Sequence, residues 1–145
     1  MHQRGMLHEA EHRYRTVLKA YPNHPDCRHL LGVLRFQQGR YNEALEHISA
    51  ALKLQPNNAV ALSNFGLVLA ELGRPEQALA SYDRALAIKP DNAEALYNRG
   101  FVLQELTRHE EALTTYDRAL AVRSDSAEAL NSRGNVLRNQ TGDQV

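Results

Sequence analysis

Ala93-Glu-Ala-Leu-Tyr-Asn-Arg-Gly100, followed by Leu103, Glu111-Ala112-Leu113, Tyr116 and Ala119-Leu120, is the stretch that decides how the rest of the chain reads. Residues 59–92 share about twenty of thirty-four positions with residues 93–126. The same step of thirty-four runs outward from there. Gly32, Gly66, Gly100 and Gly134 form one column, and Ala10, Ala44, Ala78 and Ala112 another. Tyr14, Tyr82 and Tyr116 form a third, with Ile48 in the remaining place. Pro22, Pro56 and Pro90 form a fourth, continued by Ser124. A period of this length with this pattern marks a helix-turn-helix solenoid. Such a chain has no single catalytic core and builds a concave surface instead.

Each unit reads as two short amphipathic helices. Leu96, Gly100, Leu103 and Leu106 mark a first helix, A, and Ala112, Leu113, Tyr116, Ala119 and Leu120 a second, B. Both follow three-to-four spacing. Helices this short are marginal alone in water, so packing between units must hold them. The small Gly and Ala columns predict close backbone approach, with the tyrosines filling wider gaps. The prolines end the B helices, because proline cannot continue the hydrogen-bond ladder. Gly39 and Gly73 make the A-to-B turn, while Thr107-Arg-His-Glu110 has the form of a capping box that would start the next B helix. Asn57-Asn58, Asp91-Asn92 and Asp125-Ser126 supply caps for the A helices that follow.

These residues resemble the tetratricopeptide repeat (TPR) family, over nearly the whole chain. The resemblance implies an all-α, right-handed superhelix of about eight short antiparallel helices. It divides the chain into a half repeat (5–24), full repeats (25–58, 59–92, 93–126), a half repeat (127–138) and a polar tail (139–145). The strings Leu30-Leu31-Gly32-Val33, Gln38-Gly39-Arg40-Tyr41, Tyr82-Asp-Arg-Ala-Leu86 and Asn98-Arg99-Gly100 are similar to the N-terminal arrays of bacterial O-linked N-acetylglucosamine-transferase-like proteins. With 145 residues used by repeats, no room is left for their sugar-nucleotide fold, so no enzymatic activity is expected.

The resemblance implies that the A helices line an inner groove. It would present His29, Leu30, Val33 and Phe36, then Ser63, Asn64, Leu67 and Glu71, then Tyr97, Asn98, Phe101 and Glu105. Asn131, Ser132 and Asn135 would follow from the last half repeat. Asn64 and Asn98 fall one repeat apart, as a two-rung ladder. In the transferase-like arrays a similar ladder is understood to hold extended peptide. An amide both donates and accepts, so it can read backbone without reading sequence. The carboxylate clamp of co-chaperone TPRs is not matched: His29, Val33, Glu94 and Asn98 stand where its other ligands would, and only Asn64 fits. Glu94 would repel a carboxylate.

Composition points the same way. Seventeen Lys and Arg balance seventeen Asp and Glu, which gives no electrostatic footprint for nucleic acid or anionic membrane. Cys27 is alone, which excludes an internal disulfide and suits a reducing cytoplasm. No apolar run approaches a signal peptide or a membrane span. The expected function is non-catalytic binding of a partner protein or peptide, with no cofactor. Structural self-assembly through the two incomplete ends is the alternative, and a monomer is favoured over it.

His8-Glu-Ala-Glu-His12 matches a zinc-protease string, yet Glu9-Ala10 occupies the same columns as Glu43-Ala44 and Glu111-Ala112. It is read as repeat sequence, with no metal. Cys27 is read as a packed small side chain. Two further columns change together. Asp83 and Asp117 each precede an arginine by sixteen residues, Arg99 and Arg133, whereas Ser49 is followed by Phe65 and Arg15 by Leu31. This predicts ion pairs between neighbouring units. At the ends, Leu7, Tyr14, Leu130, Val136 and Leu137 are expected to be partly uncovered, with Glu11 and Arg138 as solvating caps.

Overall fold

The structure, a computed structural model, describes residues 2–142, with side chains described over 4–140. Among the described residues there are eight helices and no strand: α1 (His2–Ala20), α2 (Pro25–Gln37), α3 (Tyr41–Leu54), α4 (Ala59–Glu71), α5 (Pro75–Ile88), α6 (Ala93–Glu105), α7 (His109–Val122) and α8 (Ala127–Gly142). The fold is an all-α superhelix of helix pairs. Within it α2 packs on α3, α4 on α5 and α6 on α7, and the A helices α2, α4, α6 and α8 each touch the next in the series. That run of neighbours forms one wall-to-wall surface. The end helices are longer than their half repeats: α1 begins at His2, ahead of residue 5, and α8 continues past Arg138 into the expected tail. Residues 143–145 of that tail lie outside the described residues.

Punctuation is set by local chemistry. Asn58 Oδ1 accepts from Ala61 N, Asn92 Oδ1 from Ala95 N, and Ser126 Oγ from Ala129 N, so each expected cap is in place. His24 caps α2 in the same way, its Nδ1 accepting from the amide of Cys27. The A-to-B turns need a left-handed residue. Gly39 and Gly73 supply it at φ +76° and +74°, and Thr107 takes the same place at +58°. The capping box expected at Thr107 is therefore not made. Its hydroxyl turns to the carbonyl of Leu106, and Arg108 is the N-cap, with no side-chain bond.

The glycine and tyrosine columns prove to be one device. A Cβ on Gly66 would lie 2.7 Å from Tyr82 Cε1, and one on Gly100 would lie 2.6 Å from Tyr116 Cε1. The rings lie directly on the glycines instead of filling separate gaps. Both tyrosines are fully buried, with Ala78, Ala112, Leu96 and Leu103 in the same apolar cluster. At the first pair Ile48 takes the ring's place against Gly32.

Candidate functional site

The ion pairs between units are present. Arg99 Nε donates to Asp83 Oδ1 at 2.7 Å and Arg133 Nε to Asp117 Oδ1 at 2.6 Å. Arg99 also donates to Thr115 Oγ1 at 2.6 Å, tying α5, α6 and α7 together. These bonds join each of two B helices to the A helix of the next unit.

Within that groove the expected residues divide. His29 and Ser63 are buried, which removes Ser63 from any contact surface. Asn64 Nδ2 lies 2.8 Å from His29 Nε2, so the first rung of the ladder is spent inside the chain. Burial foremost holds the His29 ring below the usual histidine range, which keeps Nε2 free to accept that bond. Val33, Phe36, Asn64 and Leu67 border a recess of only about 40 Å³. Tyr97 is half-buried, stacked obliquely on Tyr116 at 5.9 Å and within 3.3 Å of Ser132 Oγ through its hydroxyl. Asn135 is held by Arg138, while Asn131 is exposed.

Asn98 stands apart by its position. Among the described residues its side chain has no hydrogen-bond partner, and it borders two depressions at once. One, of about 300 Å³, lies towards Glu94, Tyr97, Arg123 and Glu128. The other, of about 400 Å³, lies between α4 and α6 against Leu67, Ala70, Glu71, Phe101 and Glu105, with Tyr82 at its base. Phe101 is 44% exposed, a large apolar side chain presented to solvent beside the free amide. Depressions of this size are in the range that holds ligand groups.

The base of the second depression was not legible from the repeat alone. Tyr116 donates from its hydroxyl to Gln104 Oε1 at 2.8 Å. The residue equivalent to Gln104 one repeat earlier is Ala70, and the Tyr82 hydroxyl is buried with no partner. An unpaired buried hydroxyl costs about 1–3 kcal/mol. The signal was available in the column Phe36, Ala70, Gln104, Arg138, where only Ala70 is small.

Other candidates are settled by their surroundings. Cys27 is buried on α2, and burial raises its thiol pKa, as for a packed side chain. His8 and His12 are exposed on α1, and among the described residues no three His, Cys, Asp or Glu side chains gather around a possible metal position. No described helix is long and apolar enough to cross a membrane. Glu11 is not a solvating cap: it bonds Arg35, itself 3% exposed, at 2.6 Å. Val136 is fully buried, not partly uncovered, whereas Leu130 and Leu137 are exposed and Leu7 and Tyr14 half-buried.

Comparison with known proteins agrees with this architecture. Family models described as tetratricopeptide repeat match residues 1–64 and 93–126, and one described as TPR repeat matches 66–106. No curated protein sequence gives a significant match. Among solved structures, MamA is similar at a TM-score of 0.87 and 24% identity, over 97% of this chain and 82% of that one. YrrB, described as a TPR protein with an unusual peptide-binding site, is similar at 0.81 and 27%, over 90% and 68%. The first TPR of Spaghetti, bound to an HSP90 peptide, is similar at 0.78 and 24%, over 81% and 93%. The phased columns, the eight helices and these matches lead to one conclusion: the chain is a protein of tetratricopeptide repeats.

Proposed function

We propose that this chain is a non-catalytic interaction module that holds an extended segment of a partner protein in the groove of α2, α4, α6 and α8. The observation that carries the reading is Asn98, an amide with no internal partner, set beside exposed Phe101 and between two depressions. Such a group can donate to a peptide carbonyl and accept from the next N–H. The peptide-binding descriptions of YrrB and the Spaghetti domain support the same use of the fold. If the chain belongs to a longer protein, the groove serves as its recruiting arm.

The test is a peptide selected on the purified chain from a displayed library and measured by calorimetry. Asn98→Ala is expected to weaken it by ~1–2 kcal/mol, and Asn64→Ala by less, since Asn64 is already bonded to His29. Unchanged affinity in Asn98→Ala overturns the groove reading. The alternative of end-to-end assembly rests on exposed Leu130 on α8 and half-buried Leu7 and Tyr14 on α1. Light scattering decides it: a monomer mass constant with rising concentration removes it.

A further inference from the structure

We infer that the depression between α4 and α6 is a subsite for an arginine side chain of the bound peptide. The inference rests on the groove reading above and adds the chemistry of the partner. The base and the walls of the depression both fit this occupant. The base holds the Tyr82 hydroxyl, buried and unpartnered, while the equivalent hydroxyl of Tyr116 is satisfied by Gln104. That equivalence fixes where the Tyr82 hydroxyl is aimed, which is the turn of α4 carrying Ala70, and Ala70 borders the depression. The space exists because Ala70 is short: one junction earlier, where Phe36 occupies the column, the recess is about 40 Å³ against about 400 Å³ here.

The walls and the mouth complete the match. Leu67, Val102 and Leu106 make an apolar passage, and Phe101 offers an aromatic face. Glu71 and Glu105 stand at the same depression, both exposed, neither with an ion-pair partner among the described residues, and no Lys or Arg borders it. A chain of net charge zero thus presents a locally anionic pocket. An apolar occupant would cover two carboxylates and leave the hydroxyl unpaired. A carboxylate would be repelled. An ammonium group would pair with the acids, but it lacks the flat face and the fork of donors. A guanidinium stacks on the Phe101 ring and donates to Glu71 or Glu105, and with a small shift of the side chains that cover the Tyr82 hydroxyl it donates to that oxygen too.

The experiment uses the full ¹⁵N-labelled chain and a short Gly/Ser peptide with one central arginine, alongside the same peptide carrying citrulline or lysine. Citrulline keeps the shape and loses the charge. The arginine peptide is expected to shift the amides of Ala70, Phe101 and Leu106 and to bind about tenfold more tightly than the citrulline peptide, with lysine between. Ala70→Gln rebuilds the tyrosine–glutamine bond of the next unit. It is expected to raise the Tm while weakening the arginine peptide about tenfold, so lost binding is not lost folding. Tyr82→Phe is expected to weaken the arginine peptide, which loses the oxygen that its guanidinium donates to. Equal binding of arginine and citrulline, or full binding by Ala70→Gln, overturns the subsite. If groove amides still shift with either peptide, the general reading survives. Peptides that shift no groove amide overturn both.

Discussion

Where α4 meets α5 and α6 meets α7, a tyrosine ring lies on a glycine, and an Asp–Arg pair bridges to the next unit. Where α2 meets α3 an isoleucine lies on the glycine, and Ser49 and Phe65 replace the ion pair. The difference goes deeper at the first junction. Leu45 with Leu69, Leu79 with Leu103 and Leu113 with Leu137 share a spacing of twenty-four, and the member of that series before them is Glu11 with Arg35. Where the later units place two leucines, the first has a charge pair between buried Arg35 and half-buried Glu11, and Arg35 also reaches Glu43 at 3.3 Å and Gln38 at 2.9 Å. Arg28 lies 3.4 Å from His47 nearby. One backbone repeat thus tolerates either apolar or ionic glue, provided both partners change together.

The largest effect is expected from separating that pair. Glu11→Leu should destabilise by about 2–3 kcal/mol, below the range for a pair buried on both sides, because Glu11 is partly exposed and Glu43 still holds Arg35. Glu11→Leu/Arg35→Leu restores the leucine pair of the later units and should recover this loss or exceed it. Chemical denaturation measures both. A double variant no better than the single would show that the two regions are not interchangeable.

Glycine comes next. Gly100→Ala should cost about 1–3 kcal/mol, since the new Cβ meets the Tyr116 ring. Gly134→Ala, in the same column, meets nothing nearer than Arg138 at 4.0 Å and should gain up to about 1 kcal/mol from helix propensity. Opposite signs in thermal melts would show that packing against a B helix, not the A helix itself, demands glycine. Smaller still is Asp83→Ala: its carboxylate is exposed, so the loss should be ~0–1 kcal/mol and shrink in high salt.

The smallest difference is expected from acid, and it should fall on the first unit. Burial foremost lowers the pKa of His29 and of His47 from the ordinary histidine value, ~6.5. Between the two values the unfolded chain binds more protons, so stability is full above about pH 6.5 and falls as pH drops through the lowered values. His29→Gln should flatten the dependence of Tm on pH between neutral and mildly acidic conditions. An unaltered profile would exclude His29 as a source.

The periodic features were legible because each is written several times. Column agreement gives the helices, the turns at Gly39 and Gly73 and the Asp83–Arg99 contact. What appears once was harder to read. Ala70 breaks a column by being small, and small residues are common in this chain, so the orphaned hydroxyl beneath it left no pattern. Ser63 and His29 sit at groove positions of their helix, but their exposure depends on how far the neighbouring helix leans over them. Glu11 looked like a solvated end because its partner, Arg35, is twenty-four residues away and outside the thirty-four-residue step. Thr107 looked like a cap because threonine usually is one, and only the backbone shows it standing in for glycine.

The Asp–Arg bridges also act as connectors that set how the array can be lengthened. The unit 93–126 carries an arginine, Arg99, on its leading helix and an aspartate, Asp117, on its trailing one, whereas the unit 59–92 carries Phe65 and Asp83. A copy of residues 93–126 spliced in after Ser126 would bring an arginine to Asp117 and an aspartate to Arg133, leaving no charge stranded. A copy of residues 25–58 in the same place would bring Leu31 and Ser49, and strand both. The unit 93–126 can therefore multiply by simple duplication, while the unit 25–58 can sit only at the edge of such a series.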